Sequence, residues 1–144
     1  MSFLDLEGKL LDRLKEKVTT ARAFLSSADL QGVAETEQIT PAVHVVFDGI
    51  TPTREQGEGA VQEFEQRWVV VAAVRNLREA RTGAGVREDA SPIIDEVLGA
   101  LLGWRPLLEL SPLKAAVSPK PAFFAGFGYF PFAFTTRVVA RGNP

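Results

Sequence analysis

The stretch from Val61 to Asn76 constrains the fold more than any other part of the chain. Alternation puts Phe64, Trp68, Val70, Ala72 and Val74 on one face of an extended segment; Glu63, Glu65 and Arg67, then Val69, Val71 and Ala73, point the other way. Such a strand is polar on one side in its first half and apolar on both sides in its second. Its second half must therefore lie in a sheet that is covered on both faces. A partner strand is at hand in Val43-His44-Val45-Val46-Phe47, which is short, β-branched and followed by the turn-forming Asp48-Gly49 and Thr51-Pro52-Thr53. Between the two, residues 51–60 hold Gly57, Gly59 and the polar side chains of Arg54, Glu55, Gln56 and Glu58, and read as a long, mobile hairpin loop.

Helical periodicity appears twice. Phe3, Leu6, Leu10, Leu14 and Val18 recur at steps of three and four, which predicts a helix over residues 3–23 with Asp5 and Glu7 early and Lys15 and Lys17 late, in keeping with the helix dipole. Ile94, Val97, Leu98, Leu101 and Leu102 mark a second. It starts either at Ser91-Pro92 or earlier at Arg87-Glu88-Asp89, and it ends at Gly103 before Arg105-Pro106, with Trp104 free to fold back on Leu98. Gly99 inside it suggests the close approach of a bulky neighbour. Residues 26–40 lose the period and read as a connector with room for one short strand; residues 76–85 read as a second mobile loop. Past Pro106, residues 113–117 suit a short strand, Pro119 and Pro121 an edge or corner, and the Phe-rich residues 122–139 two antiparallel strands with a kinked join. The order implies one α+β domain over residues 1–144: a mainly antiparallel sheet of about four to five strands with two helices packed on one face.

Composition narrows the function classes. The chain has 144 residues, 46% of them hydrophobic and 24% charged, with a net charge of −2, too small for sequence-independent attachment to nucleic acid or anionic lipid. There is no cysteine and one histidine, so thiolate metal sites, a cysteine nucleophile and a zinc site built on two histidines are excluded. No cofactor or metal is expected. His44 lies in an apolar strand without the positioned partner that a general base needs. The glycines at 57, 59, 83 and 85 form neither a phosphate loop nor a dinucleotide fingerprint. Apolar runs such as residues 68–74 and 97–102 are far too short to span a membrane, and residues 1–3 run at once into a charged amphipathic segment rather than a secretory leader. Carboxylates at Glu63, Glu65, Glu88, Asp89, Asp95 and Glu96 sit at positions that normally face water.

What remains are surfaces. Arg75, Arg78, Arg81 and Arg87 cluster around one loop and suit an acidic protein neighbour or DNA phosphate; Arg54, Glu55 and Glu58 crowd the other. Two helices leave some of the C-terminal aromatic rings to be buried against another copy. Charge is also uneven. Residues 1–104 carry eleven basic and seventeen acidic side chains and residues 105–144 five and one, an asymmetry that head-to-tail attraction between subunits would use, as would pairing within one chain.

The stretches at residues 40–49 (TPAVHVVFDG), 65–71 (EQRWVVV), 103–106 (GWRP) and the aromatic 126–134 together resemble small tail terminator proteins of long-tailed bacteriophages and prophages. The resemblance runs from the first helix to about Val139. It implies a non-enzymatic α+β subunit, found in the virion at the head-proximal end of the tail and assembled in the host cytoplasm. It further implies a homo-oligomeric ring, commonly of six copies, seated on the last ring of the tail tube. Such a ring stops tube growth and offers a face to head-completion or connector proteins, with DNA met only in passage through the lumen and no membrane partner. Residues 51–60 and 76–85, with Arg54, Glu55, Glu58, Arg75, Arg78, Arg81 and Arg87, are the candidate contact segments, expected to order against the tube or a neighbouring subunit. A head-to-tail connector or neck protein of the same virion is the alternative, and a small-molecule enzyme a third.

Overall fold

A computed structural model describes residues 5–31, 38–75, 84–124 and 126–143. Helix α1 (Leu6–Lys17) buries Leu6, Leu10 and Leu14, with Glu7 in its first turn and Lys15 and Lys17 in its last. Phe3 lies outside the described residues. The helix stops well before residue 23 because Val18 turns extended (φ −97°, ψ 106°), and the next two backbone N–H groups, of Thr19 and Thr20, go to the Glu96 carboxylate at 2.8 and 3.0 Å instead of continuing a helical ladder.

The chain then forms β1 (Ala23–Ser26), a short helix α2 (Ser27–Gln31), and the long hairpin of β2 (Ala42–Gln56) and β3 (Val61–Arg75). Helix α3 (Ala84–Leu101), β4 (Lys114–Ala116), β5 (Ala122–Phe124) and β6 (Phe127–Arg141) complete it. The sheet order is β1-β2-β3-β6-β4, with β5 also on β6; β1 runs parallel to β2, and the other pairs are antiparallel. The α+β class holds, but among the described residues the sheet is mixed and six-stranded and there are three helices, where the sequence predicts four to five mainly antiparallel strands and two helices. β5 and β6 are the two antiparallel strands expected over residues 122–139 and β4 the short strand expected over 113–117; the unexpected piece is α2, five residues in which no period can register, while β1 lies at the start of the connector that leaves room for a short strand.

The expected loop over residues 51–60 is also corrected. β2 continues to Gln56, and only residues 57–60 turn, through positive φ at Gly57, Glu58 and Gly59 and a bond from Ala60 N to Gly57 O. Glycines and Pro52 argued for a turn, but pairing with β3 as far as Gln56↔Val61 overrides them at the cost of two register shifts, one around Gly49 (φ +103°) and one between Pro52 and Glu55.

β6 accommodates a proline in the same way. The N–H groups of Ala133 and Arg137 point away from β3, to the Ser118 and Ser111 hydroxyls, so by alternation Pro131 also faces outward. Its missing donor costs the β3–β6 ladder nothing, and it falls in the gap between β5 and β4.

α1 and α3 pack on one face of the sheet, against Val43, Val45, Trp68, Val70, Ala72, Val74, Phe130, Phe134 and Val138. α3 takes the earlier of the two starts, so Pro92 lies inside it. The buried stripe is Ala90, Ile93, Val97, Ala100 and Leu101, while Leu102 is half exposed. Gly103 takes the left-handed conformation that ends the helix (φ +74°), and Trp104 lies beneath the Arg13 guanidinium at 5.2 Å. Gly99 has open space where a Cβ would be, so no close neighbour explains it. Gly99→Ala is therefore expected to raise stability by about 0.5–1 kcal/mol in chemical denaturation; a loss would reveal a contact at this position.

Candidate assembly interface

In its far half the hairpin forms an arm three strands wide. β2, β3 and β6 remain in register out to Gln56↔Val61 and Val61↔Arg141, and residues 50–60 are exposed throughout. Arg54, Glu55 and Glu58 sit on this arm. The base is tied across the face opposite the helices by Arg67, whose Nε donates to Asp48 at 2.7 Å on one side and whose terminal nitrogen donates to the Val117 carbonyl at 2.6 Å on the other.

Arg75 ends β3 at the opposite extremity, its guanidinium 5.1 Å from the Phe127 ring centre. The length of β3 separates it from the arm tip, so Arg75 is not brought together with Arg54, Glu55 and Glu58. Arg78 and Arg81 lie outside the described residues. Arg87 lies in α3, with its side chain outside what is described. Phe123 and Phe124 on β5 stay exposed, while Phe127, Phe130 and Phe134 are buried.

Among the described residues, nothing weighed for catalysis gathers around His44. His44 is buried on β2 opposite Leu25 and Val71, burial pushes its pKa down, and its Nε2 has no hydrogen-bond partner among the described residues. A cleft of about 460 Å³ is lined by Thr20, Thr40, Pro41, Val74, Arg75, Pro92 and Ile93, without a carboxylate and without His44. Among the described residues no three acidic or histidine side chains are grouped to hold a metal.

Three residues with structural roles were missed. Gln66 is fully buried and accepts from Trp68 Nε1 at 3.0 Å. The alternation of residues 64, 66 and 68 already placed it on the core face. Arg67 and Glu96 act through partners distant in sequence, which periodicity does not reveal.

The most exposed features among the described residues are the arm and the open strand edges. The family model described as phage tail terminator protein matches residues 1–144, and the chain belongs to that family. The family is one of structural proteins of the phage tail, which places the chain in the virion. A chain from the virion of a native gene transfer agent particle shares the fold, with a TM-score of 0.60 and 13% identity over 96% of this chain and 100% of that one. No curated protein sequence matches the chain.

Proposed function

We propose that the protein caps the tail tube. Six copies form a ring on the last tube ring, end its polymerisation and present the face that the head-completion or connector protein joins; the genome passes through the lumen. No bond is made or broken, because a closed head-to-tail ring with two different faces is enough to stop propagation. The match of the terminator family to the whole chain carries this reading. In this reading the ring assembles in the host cytoplasm and sits at the head-proximal end of the tail. The arm, with Arg54, Glu55 and Glu58, meets the tube or a neighbouring subunit. Arg75, at the opposite end of β3, and Arg78, Arg81 and Arg87, which follow it in sequence, meet an acidic protein neighbour or DNA phosphate.

Omitting the protein from phage assembly and measuring tails by electron microscopy tests this. Overlong tails without heads are expected. Tails of normal length that lack heads would assign the protein to the neck instead, and normal virions would overturn both assignments.

A further inference from the structure

The two lateral edges of the sheet are open and differ in charge. On one side β1 covers only Ala42–Val45 of β2, so among the described residues no strand pairs with the outer side of β2 from Val46 to Gln56. On the other side, β4 and β5 cover β6 only up to Thr135, and Ser111 takes the Arg137 backbone. Continuing the outward alternation of Ala133 and Arg137, the N–H and C=O groups of Val139 and Arg141 face away from β3 with no strand beside them among the described residues.

Along its free stretch and at the turn beyond it β2 carries Asp48, Glu55 and Glu58 against one base, Arg54, with Asp48 paired to Arg67. The strands of the other edge, β4, β5 and β6, carry Lys114, Arg137 and Arg141 and no acid. An isolated open edge pairs indiscriminately unless it is blunted, and β2 carries Pro52 and two bulges on its free stretch. Such devices oppose indiscriminate strand addition, so a partner strand has to match the bulged register of β2.

From these observations we infer that the partner is a second copy of this chain: the acidic β2 edge of one copy joins the basic β4–β6 edge of the next, extending the sheet from subunit to subunit. The contact is heterologous, using a different edge on each side, so it closes into a ring when the rotation per copy allows. Opposite charge sets the direction, since two like edges repel. The inference rests on the ring proposed above and assigns its lateral interface.

Two double variants test it, Glu55→Lys with Glu58→Lys and Lys114→Glu with Arg141→Glu. All four side chains are exposed, and thermal melting close to wild type would show that each variant folds. In the first variant both edges are basic, and in the second both are acidic. In sedimentation velocity at low salt, each alone should need at least about tenfold more protein than wild type to assemble. An equimolar mixture should recover assembly with the two variants alternating, because each reversed edge then meets its complement. Variants that assemble alone like wild type, or a mixture that stays monomeric, would overturn the edge assignment while leaving tail capping to the tail-length experiment. A wild-type protein that is monomeric at all concentrations would overturn lateral self-association itself.

Discussion

Trp68→Ala is expected to lower the stability of the free protein by about 3–5 kcal/mol, a large part of the roughly 5–15 kcal/mol that holds a domain of this kind together. Trp68 is fully buried in the middle of β3, its ring centre 5.0 Å from that of Phe47 on β2 and its backbone opposite Phe134 on β6. Removing the indole empties the space between the central strands and the two helices. It also takes the Nε1–H from Gln66, whose fully buried Oε1 accepts it at 3.0 Å. The two effects separate experimentally. Trp68→Phe keeps most of the ring volume and deletes the donor, and should cost about 1–3 kcal/mol. Trp68→Phe combined with Gln66→Leu removes both polar groups and should recover part of that loss. Chemical denaturation followed by circular dichroism measures all three; a loss below about 1 kcal/mol for Trp68→Ala would mean that the core closes over the gap.

The second large effect lies at Glu96. Its carboxylate receives the backbone N–H and the hydroxyl of both Thr19 and Thr20, and these donors hold its pKa at about 2 instead of 4.5, the Thr19 N–H first among them and the Thr20 hydroxyl next. A carboxylate whose pKa falls on folding adds stability that is fully present above pH 4.5 and is lost as the pH falls toward 2. The site is open to water, so the loss is about 1–2 kcal/mol, well short of what a buried group would give. Glu96→Ala should show a similar deficit at neutral pH and a flatter stability profile between pH 5 and pH 2 than wild type. A variant profile parallel to that of wild type over this interval would show that the carboxylate is not what ties the end of α1 to α3.

The contrast between Trp68 and Glu96 shows what could be read from the chain alone. Trp68 belongs to an unbroken alternation on β3, and a repeat of fourteen or fifteen residues leaves little freedom in which side faces the helices. The same holds for the Leu6, Leu10 and Leu14 stripe, and Gly103 announces the end of α3 through a conformation few other residues adopt. Glu96 and Arg67 follow no period: the carboxylate looked like a water-facing group until α1 delivered Thr19 and Thr20 to it, and Arg67 looked like one more polar position on the outer face of β3. The arm was misread as a loop because Gly57, Gly59 and Pro52 are local turn signals, whereas what keeps residues 51–56 extended is a ladder to residues 61–65 across the turn. Four of the candidate contact residues, Arg54, Glu55, Glu58 and Arg75, were placed on exposed surface, but nothing in their spacing told that a full strand length separates the first three from the fourth.

Arg67 gives the arm a mechanical character. Its guanidinium grips the hairpin at Asp48, beside the first bulge, and the chain leaving β4 at Val117, so the root of the projection is strapped on both flanks. The strap thus fixes the root of the projection to its neighbouring strands one residue from Trp68, so that a displacement of the arm and a repacking of the core share one point of attachment.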